Sequence, residues 1–203
     1  MDIIEKNERL HFHFSRFYTK MAKRLFGVFG PDSILYYPSR IHNPKKIFIG
    51  SGVLLQSHIW LNAVDKWLDT KYDGEIHIHD EACIMNHVQI SAISRITIGK
   101  LTGIGRNSVI VDHYHDYTLV DVPIMRAPLS DPKPVTVEDD VFVGVNCVIA
   151  PGVTIGRHSF IAANSVVNRD IPPFSFAAGS PARVLRTYDH QAGAWINRQQ
   201  DNS

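Results

Sequence analysis

An aliphatic residue returns at every sixth position from residue 137 to residue 167 without an interruption. The six positions are Val137, Val143, Ile149, Ile155, Ile161 and Val167. A period of six matches neither the two-residue repeat of a strand nor the 3.6-residue repeat of a helix. A six-residue unit is too short to bury its own apolar side chain, so successive units must stack on one another. The pattern predicts a β-solenoid.

Three shorter blocks upstream keep this spacing, and each contains three hexads: residues 49–61, 78–90 and 98–110. If three hexads close one triangular coil, the chain builds about five coils. The interruptions fall only between blocks, so all of the inserted segments must emerge from one edge of the prism. The first insertion, around residues 67–74, is expected to be a short β-excursion. The second is only two residues long, near Ile96-Thr97, and the third is an extruded loop over about residues 112–136.

The third insertion carries the most concentrated polar cluster of the chain, Asp112-His113-Tyr114-His115-Asp116, at its root. An imidazole titrates near neutral pH and can take a proton from a hydroxyl, and a neighbouring carboxylate can orient it. A long loop that contains four prolines and projects from a rigid scaffold more often has a functional role than none. A solvated turn within a disordered excursion is the alternative explanation.

The flanks of the solenoid are expected to be separate elements. Residues 1–37 form an N-terminal segment with an amphipathic helix over residues 5–29, residues 38–170 form the solenoid, and residues 171–203 form a C-terminal cap. The helix carries an apolar stripe, with basic residues among its aromatic side chains: Leu10, Phe14, Phe17, Met21, Leu25 and Val28, with Arg16, Lys20, Lys23 and Arg24. Covering the open bottom coil is the favoured role for this helix, and weak peripheral contact with an anionic membrane is the alternative.

Composition excludes several classes of function. A formal net charge of +1 argues against a nucleic-acid partner. The two cysteines suggest no disulfide framework, and Cys147 falls at a small inward position of the repeat. No apolar run approaches membrane-spanning length and no signal peptide is evident, so a cytoplasmic protein is expected. Three histidines, His77, His79 and His87, raise a metal hypothesis, but no two of the eleven histidines are five residues apart as in the His-x4-His zinc pair; no catalytic metal is predicted.

Four runs resemble the hexapeptide-repeat acyltransferases: residues 143–146 (VGVN), 149–156 (IAPGVTIG), 165–173 (SVVNRDIPP) and 178–184 (AGSPARV). Within that superfamily the chain is similar to the maltose and galactoside acetyltransferases. It is more similar still to the O-acetyltransferases of bacterial capsule, exopolysaccharide and O-antigen synthesis. The shared features are residues 43–50 (NPKKIFIG) and the Asp-His-x-His run at residues 112–115.

The resemblance implies a left-handed parallel β-helix, in an all-β solenoid with an N-terminal helix and a C-terminal cap. It implies a homotrimer whose active sites lie at the subunit interfaces. It further implies acetyl-CoA as the acyl donor, no metal requirement, and a carbohydrate acceptor.

The resemblance also assigns roles to individual residues. His113 is the expected catalytic base, with His115 as the fallback and Asp112 as the carboxylate that orients the imidazole. Asn86 and Tyr114 are expected to contact the acceptor. The residues expected to contact the donor are Phe142, Gly144, Ala163, Asn168, Arg169, Arg183 and Arg186. Two departures weaken parts of this assignment, since Phe142 stands where the family usually has tryptophan and Ala162 where it usually has glycine.

The predicted function is transfer of an acetyl group to a sugar hydroxyl in bacterial surface-polysaccharide synthesis. The transfer is expected to be direct, because neither cysteine is placed as a nucleophile. Two alternatives stay open. One is an N-acyltransferase that acts on an amino-sugar nucleotide, and the other is a non-catalytic solenoid that serves as a binding module.

Overall fold

The computed structural model describes residues 3–198, in which three parallel sheets form the faces of a triangular prism. Face 1 contains Val28–Phe29, Ile47–Ile49, Glu75–Ile78, Arg95–Ile98, Val135–Val137 and Thr154–Ile155. Face 2 contains Ile34–Leu35, Leu54–Leu55, Cys83–Ile84, Gly103–Ile104, Phe142–Val143, Phe160–Ile161 and Ser175–Gly179. Face 3 contains Arg40–His42, Trp60–Ala63, Gln89–Ala92, Val109–Val111, Val148–Ile149 and Val166–Val167. The chain visits the faces in this order, once per turn, so the predicted parallel β-helix is confirmed.

Elements outside the parallel sheets close the two ends and decorate one edge. The α-helix Ile3–Ala22 and the 3-10 turn Lys23–Leu25 precede the first strand. At the other end, Ala182–Asp189 and Ala194–Asn197 extend face 2 as antiparallel strands. The remaining elements are the hairpin Lys66–Trp67 with Thr70–Lys71 and the 3-10 turns Pro44–Lys46 and Ile124–Arg126.

The strand order contains six three-strand turns rather than about five. The additional turn is the first, residues 28–42, in which Phe29 pairs with Ile49 and Ile41 pairs with Leu61. The boundary expected at residue 37 therefore falls inside a coil, and the helix ends at Ala22 rather than near residue 29. The six-residue period was not recognised in this coil because its first inward position is occupied by an aromatic residue, Phe29, instead of an aliphatic one. The 3-10 turn Pro44–Lys46 also lengthens the step to the next coil to eight residues.

The inward positions of the hexads form the core. On face 2, Leu55, Ile84 and Ile104 are completely buried, and equivalent residues of the other faces stack in the same way. Burial of each such side chain contributes roughly 1.5–3 kcal/mol, which chain ordering largely offsets. Cys147 is also fully buried as expected, and burial raises the pKa of its thiol.

The corners of the prism differ in regularity. Every insertion lies between face 3 and face 1, as predicted, and we call this edge the insertion corner. The first insertion contains the expected β-excursion, a hairpin of two short antiparallel strands. The edge between face 2 and face 3 has no insertion within residues 28–179, and we call it the asparagine corner. There Asn107, Asn146 and Asn164 adopt positive φ angles of 57–60°, and their side-chain amides hydrogen-bond from coil to coil at 3.1 Å.

The N-terminal helix covers the first coil, but not through its apolar stripe. The Thr19 hydroxyl accepts the Leu35 N–H at 2.9 Å, and its one proton has two acceptors in reach, the Ser15 carbonyl at 2.7 Å and the Leu35 carbonyl at 3.1 Å. The Ser15 hydroxyl accepts the Tyr37 N–H at 3.3 Å. These polar side chains complete the backbone hydrogen bonding of the exposed lower edge, which would otherwise be open to another strand. No helix within residues 3–198 combines the length and hydropathy needed to cross a bilayer.

Candidate active site

Asp112 and His113 form a buried pair at the root of the long loop. Nδ1 of His113 lies 2.8 Å from Oδ1 of Asp112, with 0% of the Asp112 side chain and 12% of the His113 side chain exposed. The carboxylate also accepts the backbone N–H groups of Ile93 and Ser94 at 2.9 and 2.8 Å. A carboxylate that accepts these bonds is a pure acceptor, so Nδ1 of His113 carries the shared proton. When the imidazole is neutral, Nε2 is the ring nitrogen that can accept a proton.

The shortest insertion explains why the carboxylate is so well held. Residues 93 and 94 are the two extra residues of the coil below, and they leave the ladder just beneath Asp112. The expected position near Ile96-Thr97 is wrong, because both residues are paired within the strand Arg95–Ile98. Their N–H groups lack a partner in the regular ladder and point at the carboxylate instead. The second and third insertions thus cooperate, one supplying donors and the other supplying the Asp-His pair.

An ion cluster fixes the chain next to these donors. The Glu75 carboxylate lies 3.1 Å from Nε2 of His77, 2.9 Å from the Arg95 guanidinium and 3.4 Å from the Lys46 ammonium. The Glu75 backbone N–H also donates to the Ser94 carbonyl at 2.7 Å. The hydrogen bond from His77, followed by those from Arg95 and Lys46, lowers the pKa of Glu75 to about 2. Glu75 is therefore a carboxylate at any physiological pH, and it anchors the segment that holds Asp112.

His113 and His115 both line a cavity of about 430 Å³ at the insertion corner. The hairpin of the first insertion closes one side, where the Trp67 ring packs edge-on against His115 with centroids 5.0 Å apart. Nδ1 of His115 is buried and has no hydrogen-bond partner within residues 3–198. The cavity descends to the first coil, where the Arg40 guanidinium stacks over Trp60 at 4.6 Å. The other lining residues are Ile41, His42, Asn62, Val64, Lys66, Ser91 and Leu129.

The two predicted acceptor residues lie outside this cavity. Tyr114 is 52% exposed and is not part of the lining, although its neighbours in sequence, His113 and His115, are. Asn86 lies at the asparagine corner, where its amide donates to the Ser57 hydroxyl at 2.9 Å. Within one chain, therefore, Asn86 and His113 lie at opposite edges of face 3.

The predicted donor residues divide between the same two corners. Gly144 and Ala163 lie in successive coils at the asparagine corner, and a Cβ on Gly144 would approach the Ala163 nitrogen to 2.6 Å. Arg183 pairs with Ala178 on the antiparallel strand beside them. Asn168 and Arg169 are exposed at the insertion corner, directly after the last strand of face 3.

The other two predicted donor residues lie on the outer surface of face 2. Phe142 stacks on Phe160, with centroids 5.3 Å apart, and Phe160 stacks on Phe176 at 5.5 Å. Arg186 lines an apolar recess of about 270 Å³ together with Phe160, Phe176 and Trp195. The Phe142 ring is thus already stacked within its own chain, as one end of an aromatic ladder.

The metal hypothesis gains no support from the described chain. Among residues 3–198, no three His, Cys, Asp or Glu side chains converge as metal ligands. His77 stacks on Phe48 on face 1, at 4.5 Å, and His87 stacks on His58 at the asparagine corner, at 4.8 Å.

Sequence reasoning missed most of the cavity wall, above all Arg40, Lys66 and Trp67. A usable signal was present, because a solenoid in register stacks equivalent positions of successive coils. Ser91 pairs with Val111 on one side and with Asn62 on the other, and Asn62 pairs with His42. Alignment of the coils would therefore have identified the residues beneath His113, had the first coil been recognised.

Comparison with known proteins supports the same interpretation. The family model for the bacterial transferase hexapeptide (six repeats) matches residues 134–169. The chain is 30% identical to the putative lipopolysaccharide biosynthesis O-acetyl transferase WbbJ of Escherichia coli (strain K12), over 80% of this chain and 82% of WbbJ. It is 53% identical to the galactoside O-acetyltransferase of the same organism, over 26% of each chain.

Solved structures agree at the level of the fold and the family. A hexapeptide-repeat containing acetyltransferase from Vibrio cholerae O1 biovar eltor, solved with acetyl coenzyme A, matches with a TM-score of 0.58 and 29% identity, over 84% of this chain and 75% of that one. The N-acyltransferase AntD from Bacillus cereus matches with a TM-score of 0.71 over 86% of this chain and 90% of that one, and its 18% identity shows the left-handed β-helix alone. The chain therefore belongs to the bacterial hexapeptide-repeat transferases and is an acyltransferase of that family.

Proposed function

We propose that this acyltransferase moves the acetyl group of acetyl-CoA to a sugar hydroxyl, in the synthesis of a bacterial surface polysaccharide. The observation that carries the proposal is the buried Asp112–His113 pair, whose imidazole lines a cavity large enough for a sugar. Similarity to WbbJ over most of both chains supports the polysaccharide setting. A CoA thioester as donor is consistent with a reaction in the cytoplasm.

The chemistry follows from the tautomer that Asp112 imposes. Nε2 of His113 accepts the proton of the sugar hydroxyl while the oxygen attacks the thioester carbonyl carbon. Backbone N–H groups of the coil stabilise the resulting oxyanion. The C–S bond then breaks, and the CoA sulfur takes the proton from Nε2, which restores the neutral imidazole. The transfer is direct, because Cys147 is buried in the core and Cys83 lies on face 2, away from the cavity.

We infer that the active unit is a homotrimer with shared sites. The predicted site residues occupy both edges of face 3: His113 and Arg169 at the insertion corner, and Asn86, Ala163 and Arg183 at the asparagine corner. One prism cannot bring its two corners into one cleft. A rotated copy can, because a closed ring pairs one surface of each copy with a different surface of its neighbour.

The cavity wall favours an acceptor that carries negative charge. Trp67 offers an aromatic surface on which a sugar ring can pack, while Lys66 and Arg40, which is stacked on Trp60, contribute two cations. Such a wall suits a phosphate-bearing or acidic sugar better than a neutral one.

The proposal is tested by incubating the purified enzyme with labelled acetyl-CoA and two panels of acceptors, polysaccharide fragments and nucleotide-linked amino sugars. O-acetylation gives a product from which mild base releases the label. A base-stable product would instead establish N-acylation. Failure to bind CoA in calorimetry would support the non-catalytic alternative, and His113→Ala serves as the control for background transfer.

A further inference from the structure

Most of the apolar stripe of the N-terminal helix faces away from its own solenoid, although Phe14 also meets the Tyr37 ring edge-on, with centroids 5.3 Å apart. Leu10, Phe14, Phe17 and Met21 follow one another along the helix and are 48–69% exposed, and Leu25 continues the stripe at 60%. The solenoid side of the helix carries Ser15 and Thr19, together with Tyr18 and Ala22, which pack against the core. A contiguous stripe of large apolar side chains in water indicates a binding surface.

The charge next to the stripe restricts what can cover it. Residues 9–31 contain five cations and no acidic residue, in a chain whose formal net charge is only +1. The cations are Arg9, Arg16, Lys20, Lys23 and Arg24. An apolar stripe bordered by cations matches the two layers of an anionic bilayer surface, acyl chains below and phosphate headgroups above. A second copy of this helix would instead bring like charges together.

A cavity for headgroups lies beside the stripe. It measures about 550 Å³, opens between the helix and the first coil, and includes Arg16, Lys20 and Lys23 in its wall. Asp32 is the one acidic side chain among its lining residues. Three cations around one opening favour a phosphate group over a neutral ligand.

We infer that this end of the protein docks on an anionic lipid bilayer, with the apolar stripe inserted and the neighbouring cations on lipid phosphates. The acceptor cavity reaches the same end of the solenoid, since Arg40, Ile41 and His42 of the first coil line it. Docking thus brings the acceptor cavity close to the membrane, where a lipid-anchored acceptor can enter it. The docking itself does not depend on the proposed acetyl transfer.

The test is flotation of the full-length protein with vesicles of phosphatidylcholine alone or phosphatidylcholine mixed with phosphatidylglycerol. The wild type is expected to float with the mixed vesicles at least about tenfold more than with the neutral ones, and added salt is expected to reduce that binding. The variant Phe17→Glu/Met21→Glu should lose at least about tenfold in binding to mixed vesicles. Leu101→Glu/Val120→Glu, which alters two exposed apolar residues elsewhere, should bind like the wild type.

Two readouts separate docking from its alternatives. Circular dichroism and native mass should be unchanged in both double variants; if the glutamate variant fails to fold, Phe17→Ser/Met21→Ser replaces it. Equal flotation of the wild type and the Phe17→Glu/Met21→Glu variant would overturn the proposal. So would a wild type that does not bind the mixed, anionic vesicles. A stripe variant with a smaller native mass would show that the stripe is covered by another copy of this chain instead. CoA binding, measured in parallel, reports on the proposed chemistry independently.

Discussion

The two edges of face 3 are built from the same repeat and differ in almost every other respect. At the asparagine corner, residues with positive φ stack in register, and their amides hydrogen-bond from one coil to the next. At the insertion corner the register is interrupted four times, counting the Pro44–Lys46 turn, and the interruptions bury a carboxylate and place two imidazoles at a cavity. Regularity satisfies the polar groups of the first corner within the ladder. Irregularity leaves donors such as the Ile93 and Ser94 N–H groups free to organise a reactive pair.

The comparison predicts that side chains of the insertion corner control rate, whereas the asparagine ladder controls stability. The sharpest test is His113→Ala. Loss of a general base lowers turnover by about 10²–10⁴-fold, while the fold and CoA binding stay intact, because the imidazole is no part of the ladder. Steady-state kinetics with calorimetry measures both quantities. If His113→Ala keeps near-normal turnover while His115→Ala is inactive, the base has been assigned to the wrong imidazole.

Asp112→Asn should affect both rate and stability. The new amide group cannot accept all three hydrogen bonds, so His113 is no longer held with its proton on Nδ1. Turnover is expected to fall by about 10²-fold or more. Replacement of a buried acceptor that holds two backbone donors lowers the free energy of unfolding by roughly 1.5–3 kcal/mol. Urea unfolding and kinetics measure the two effects. Loss of stability with unchanged turnover would limit Asp112 to a structural role.

Glu75 should make the insertion corner sensitive to acid. Its pKa is lowered from 4.5 to about 2 in the folded protein, so its contribution is complete above about pH 4.5 and disappears as pH falls toward 2. Glu75→Gln is expected to lose about 1–3 kcal/mol of unfolding free energy at pH 7, and the difference from wild type should shrink below pH 4.5. Denaturant unfolding across this range checks the expectation, with Asp121→Asn as the control. A difference independent of pH would contradict it.

The asparagine corner should give the smallest effect. Asn107→Ala removes one amide hydrogen bond and places alanine at a φ of 59°, which together cost about 1–2 kcal/mol. Asn107→Gly loses the same bond but tolerates the positive φ, so it should be less destabilised than the alanine variant. Thermal unfolding compares the two. A fall in turnover larger than about threefold in either variant would contradict the expectation that the asparagine corner is structural and the insertion corner is reactive.

The sequence by itself determined the solenoid, the single edge that carries the insertions and the Asp-His run at residues 112–115. It could do so because a six-residue period is local: the inward residue of each hexad can be identified from neighbouring residues, without knowledge of the rest of the chain. The first coil was missed where Phe29 and the Pro44–Lys46 turn disturb that period.

Tertiary structure alone decided what each polar or apolar residue faces. The two backbone N–H groups that hold the Asp112 carboxylate come from residues 18 and 19 positions earlier in the chain. The cavity brings together residues as distant as Arg40 and Leu129. Helical spacing identified the apolar stripe of Ile3–Ala22 but could not tell which side meets the solenoid. That orientation depends on hydrogen bonds from the exposed backbone edge of the first coil to Ser15 and Thr19, together with the packing of Tyr18 and Ala22 on the core.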